Sequence, residues 1–69
     1  VTQADIDNWF TYHPPMERQL HRYKVLRGEF KRLAEMVVEM TPPCADQTVA
    51  IRKIREASMA VNMAIACNE

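Results

Sequence analysis

Two stretches of this 69-residue chain carry side chains suited to holding a planar, anionic ligand. The first is the elbow Thr11-Tyr12-His13-Pro14-Pro15. His13 precedes a proline and is pushed towards extended backbone. Pro14 and Pro15 then stiffen the path, so Tyr12 and His13 are presented in fixed directions. A base stacked on an ordered aromatic ring gains about 1–3 kcal/mol. The same residues also admit a structural use, with Tyr12 packing on Trp9 to seat the elbow. The second stretch is Lys24, Arg27 and Lys31, spaced by three and four along one helical edge. Arginine offers phosphate a two-pronged donor set and lysine a point charge. A solvated charged face is the competing reading of such a stripe. Arg27 flanks the apolar seam, so its guanidinium can reach the rim of an interface.

Asn62 and Met59 add a third set. They sit in the series Arg55, Met59, Asn62, Ala66, which steps by four, three and four. Asn62 has donors and an acceptor for a base edge. A buried asparagine also fixes helix register, which is the alternative use. Enzyme signatures are lacking: there is no nucleophile-elbow or phosphate-cradling glycine pattern and no metal-ligand spacing. A His13 or His21 partnership with a cysteine has no second layer to orient it. Glu35 and Glu39 share a face, but by pattern that face is solvated. The expectation is a non-enzyme with no cofactor and no metal.

The totals bound the rest. A chain this short makes one domain, 1–69, and is marginal without staples or association. Cys44 and Cys67 lie at opposite ends of the last helix, roughly 35 Å apart at 1.5 Å per residue, too far to bridge. Nine basic and nine acidic residues cancel, yet residues 16–35 hold six bases against three acids. Such a balance does not suit a general DNA or RNA polymer binder. It suits a small anion. No bilayer-length apolar run and no signal peptide are present, so no membrane association is expected.

Three helices must position these groups. Val1–Phe10 reads as a short amphipathic helix, with Thr2 as N-cap, Asp5 three residues later, and Ile6, Trp9 and Phe10 closing the core. Met16–Met40 carries Tyr23, Leu26, Phe30, Leu33, Val37 and Met40 in unbroken steps of three and four, widened by Leu20 and Ala34. Gly28 lies away from that seam, either tolerated or a place of close approach. Pro42 and Pro43 end the helix. Asp46–Asn68 forms the third, with the seam Ile51, Ile54, Ser58, Val61, Ile65, Asn68. The short loop makes the two long helices antiparallel neighbours. From Ala57 to Cys67 only Ser58 and Asn62 are polar. A helix apolar nearly all round needs cover on several sides. The expected fold is therefore all-α, a short N-terminal helix followed by a long antiparallel hairpin, assembled into a helical oligomer.

The elbow TYHPP at 11–15, RYKVLR at 22–27 and IRKIREASMAVNMAIACNE at 51–69 resemble the phage anti-CBASS cyclic-oligonucleotide sponges of the Acb/Tad hairpin-domain family. The resemblance covers nearly the whole chain. It implies a hexamer that binds cyclic dinucleotides such as cyclic GMP–AMP where protomers meet, with cyclic trinucleotides at separate sites in some members. It implies sequestration without catalysis, in the cytoplasm of the infected bacterial host. In the family a tyrosine at the elbow stacks on a base, a role Tyr12 matches. A basic residue on the next helix meets phosphate. That is Arg27 or its competitor Lys24, and an arginine there departs from the family's lysine. His13, Met59 and Asn62 stand as further candidates for pocket lining. The alternative function is a structural or regulatory helical oligomer that binds a protein through Met59 and Met63.

Overall fold

The computed structural model describes all residues, Val1–Glu69, as three helices with no strand: α1 (Gln3–Trp9), α2 (Glu17–Met40) and α3 (Ala45–Asn68). Each boundary has a local chemical cause. Thr2 caps α1 with a reciprocal box: the Asp5 N–H donates to Thr2 Oγ1 at 3.1 Å, and the Thr2 N–H donates to Asp5 Oδ2 at 2.8 Å. At the start of α2 the Met16 N–H donates to Gln19 Oε1 at 2.9 Å. At its end Thr41 Oγ1 donates to the Val37 carbonyl at 2.6 Å. Gln47 of α3 reaches back over the Thr41–Cys44 turn, and its Nε2 donates to the carbonyls of Val38 and Thr41 at 3.3 and 3.2 Å. One side chain thus satisfies carbonyls that the end of α2 leaves unpaired.

The two long helices pack antiparallel along the expected seam, shifted slightly at its ends. Tyr23, Leu26, Phe30 and Val37 of α2 are half-buried against Ile51, Ile54, Ser58, Val61 and Ile65 of α3. Ala34 takes the inward position and Leu33 is exposed, while Gln19 is buried and Leu20 is not. Met40 and Asn68 lie beyond the ends of the packed stretch and are exposed.

α1 rests on α3 and does not touch α2. Its docking is polar. Asn8 Nδ2 donates to the Cys67 carbonyl at 2.9 Å, in the last turn of α3. The expectation that α1 closes the core with its rings fails here. Trp9 is half-exposed, and Phe10 is 86% exposed, because a two-turn helix that meets α3 alone leaves its other faces uncovered. Arg22 of α2 and Glu69 form a two-pronged ion pair across the open end of the hairpin. That pairing holds the Glu69 carboxyl below the usual carboxylate range, chiefly through the hydrogen bonds from Arg22, and raises the Arg22 guanidinium in turn.

The isolated chain has almost no sealed interior. Only Ile65 (7% exposed) and Gln19 (5%) are buried. A compact monomer of 8.0 kDa exposes roughly 4,500 Å², whereas this protomer exposes 5765 Å². Its Cα radius of gyration is 15.1 Å, against about 11 Å for a compact domain of its length. The hairpin is a slab of 44 × 29 × 13 Å whose two long helices form a single layer.

Candidate functional site

The elbow, Phe10–Met16, crosses from the end of α1 to the start of α2 and is tied down by His13. The His13 Nε2 lies 2.6 Å from the Asn8 carbonyl, near the C-terminus of α1. A carbonyl only accepts, so Nε2 carries the proton and donates. Cys67 Sγ approaches the same carbonyl at 3.9 Å. Asn8 therefore joins the elbow to the last turn of α3 through both its side chain and its backbone. This contact, rather than packing of Tyr12 on Trp9, seats the elbow. Tyr12 is 81% exposed and its ring stands free.

Beside the elbow, α2 and α3 border a groove of about 400 Å³. His13 and Pro15 close its upper end. Leu20, Tyr23 and Arg27 supply the α2 wall, and Ser58, Asn62, Met63 and Ala66 the α3 wall. A second hollow of about 240 Å³ continues it towards the turn, where Lys31 and Arg55 join Met59 and the apolar seam. Arg27 and Ser58 line both hollows, so the two form one groove. No aspartate or glutamate lines either part. Arg27 and Arg55 make no ion pair with any carboxylate of the chain, while Lys31 lies 4.0 Å from Glu35, so the groove is cationic with two unpaired arginines. Its upper end differs in offering an imidazole, a phenol and an amide.

Of the six candidate residues, the groove brings together His13, Arg27 and Asn62, with Met59 lower down. Between the rivals Arg27 and Lys24 the geometry separates clearly. Lys24 is about 60° further round α2 than Arg27 at 3.6 residues per turn, is exposed and lines no hollow. Tyr12 lies outside the groove of its own chain. Met59 and Asn62 are exposed, so no interhelical register bond within the hairpin occupies Asn62. Three groove residues were not singled out from sequence as site residues. Tyr23 and Ser58 fall in the seam pattern, and both line the groove beside Arg27. Arg55 belongs to the series that contains Asn62, and with Arg52 and Lys53 it reads from sequence either as part of a separate trinucleotide site or as a solvated charge.

Elsewhere no three His, Cys, Asp or Glu side chains are gathered as a metal site. Cys44 and Cys67 are both free, and no helix is long and apolar enough to cross a membrane.

No curated protein and no solved structure matches the chain. The family described as Acb2/Tad1, hairpin domain, matches over residues 2–66. With nearly its whole length spanned by that match, the chain belongs to the Acb2/Tad1 hairpin-domain family, the anti-CBASS sponges that its elbow and closing helix resemble.

Proposed function

We propose that this chain binds and sequesters cyclic oligonucleotide second messengers, and so blocks CBASS immune signalling without degrading the signal. The observation that carries this reading is the α2–α3 groove, which has unpaired cations, no carboxylate and a hydrogen-bonding end at His13 and Asn62. Phosphates suit the cations, and a base edge suits the amide and imidazole. Tyr12 stands free at a stiff elbow, and its exposure supports a role in stacking on a base held by a neighbouring copy. The oligomer, a hexamer by family resemblance, is supported by the surface in excess of a compact monomer's and by the exposed apolar side chains on both long helices. Cyclic dinucleotides such as cyclic GMP–AMP are the primary ligand class, with cyclic trinucleotides as a second. The site of action is the cytoplasm of the infected host, with no membrane and no DNA or RNA polymer as partner.

The test is titration calorimetry with cyclic GMP–AMP, followed by denaturation and chromatography of the released ligand. Saturable binding with ligand recovered intact is expected. Absence of heat with every cyclic di- and trinucleotide overturns the reading, and recovery of cleaved ligand overturns sequestration in favour of hydrolysis. Exposure of Met59 and Met63 favours a second reading, a helical oligomer that docks a protein there. A ligand that binds the folded state raises its melting temperature by mass action, and a pure scaffold shows no such rise with cyclic dinucleotide.

A further inference from the structure

Nine lysines and arginines are distributed over the hairpin, and most of them are accounted for or point away from any hollow. Arg22 pairs with Glu69, Arg32 with Glu29 at 2.8 Å, Lys53 with Glu56 at 3.3 Å, and Lys31 lies 4.0 Å from Glu35. Five remain without an ion pair: Arg18, Lys24, Arg27, Arg52 and Arg55. Among these five, only Arg27 and Arg55 line the groove. They come from different helices, α2 and α3, with the Ser58 hydroxyl in the same stretch of wall. Both side chains line one hollow, and neither is paired with a carboxylate of the chain. An anion seated there can take charge-assisted hydrogen bonds from both donor sets.

Arg55 and Asn62 are seven residues apart, so the cationic end lies about 10 Å along α3 from the hydrogen-bonding end. A single phosphate does not span that length. A ligand with a base at the Asn62 end and two phosphates nearer the turn does. We propose that Arg55 is a second phosphate-contacting residue, which takes the ligand's other phosphate opposite Arg27. This rests on the reading of the groove as the cyclic-oligonucleotide site.

The test compares binding of cyclic GMP–AMP to the wild-type chain and to R55Q, R55K, R27Q and R52Q. Arg52 is exposed, unpaired and outside the groove, so R52Q removes the same charge from the same helix without touching the site. Expected are a loss of about tenfold or more for R55Q, partial recovery in R55K, and a change under about twofold for R52Q. Unchanged melting curves show that each variant folds, as an exposed arginine without partners permits. R55Q affinity within about twofold of wild type, alongside a loss in R27Q, overturns the role of Arg55 and leaves the function standing. Equal losses in R55Q and R52Q also overturn it, since they reduce the effect to bulk charge. A wild-type chain that binds no cyclic dinucleotide overturns both.

Discussion

The two flanks of α2 solve the charge problem in opposite ways. On one flank Arg27 and, across from it, Arg55 face a groove with no carboxylate. On the other flank, Leu26, Phe30, Leu33 and Met36 line a hollow of about 280 Å³, and its two charges, Glu29 and Arg32, are paired with each other at 2.8 Å. That pairing raises the Arg32 guanidinium, through the hydrogen bond to Glu29 first and its charge second. A flank whose charges are settled internally is ready to meet another apolar surface. A flank with unsettled charge is ready to meet an anion. Hydrophobicity alone does not separate the two, because apolar side chains occur on both.

The sharpest way to break the comparison is to charge the apolar flank. Leu33→Asp with Met36→Asp is expected to shift the molar mass by light scattering from an oligomer to a smaller species. Burying one such side chain is worth about 1.5–3 kcal/mol, and every copy contributes. An unchanged mass means that this flank is solvent-facing and carries no contact between copies.

The next largest effects concern the groove. Arg27→Gln is expected to weaken cyclic dinucleotide binding by about 1.5–3 kcal/mol, the worth of a hydrogen bond to a charged group. Tyr12→Ala costs about 1–3 kcal/mol if its ring stacks on a base. Lys24→Gln, outside the groove, leaves calorimetric affinity within about twofold of wild type. A loss in Lys24→Gln that matches the one in Arg27→Gln erases the distinction between the two edges of α2.

A smaller effect tests the open end of the hairpin that closes the groove near Ala66. Arg22 holds the Glu69 carboxyl below its usual range. A carboxyl lowered in the folded state contributes stability that is present above its unfolded value, about 4.3. That contribution is lost as pH falls through the lowered folded value. Glu69→Gln is therefore expected to lower the melting temperature slightly at neutral pH and to flatten its decline on the acid side. Matching acid limbs in variant and wild type rule out the pair as a contributor. The pair is surface-exposed, which keeps the effect small.

The sequence carried the architecture well, because periodicity and punctuation are local signals. Thr2 with Asp5, the paired prolines and the seam of α3 fix three helices to within a residue or two. Register along the seam was less legible. Ala34 faces inward and Leu33 lines the opposite flank of α2, and both fit steps of three and four from Phe30 and Val37, so spacing alone does not choose between them. The core role of Trp9 and Phe10 was misread, since an amphipathic pattern does not reveal that α1 docks by the Asn8 amide. Sequence leaves Lys24 and Arg27 as rivals, because which edge of α2 borders a hollow depends on how α3 packs against it; Arg27 lines the groove and Lys24 does not. Arg55 differs from Arg52 in sequence only by sharing a helical series with Met59 and Asn62, and the groove adds that Arg55 lines it and Arg52 does not.

Gly28 gives the finest probe of the same comparison, because it lies on α2 away from the seam, between the two flanks. A Cβ built at Gly28 meets nothing within 4 Å in the protomer. Alanine is favoured over glycine in a helix interior by about 1 kcal/mol. For a domain of this size, that gain raises the melting temperature by roughly 4–8 °C. Gly28→Ala is thus expected to melt higher, with molar mass and ligand affinity unchanged. If the variant instead melts lower, or its molar mass falls, then a backbone of another copy approaches Gly28 closely enough to exclude a methyl group. The copy-facing surface then extends beyond Leu33 and Met36 across the back of α2, and the groove at Arg27 is left as the one flank of the helix open to a ligand.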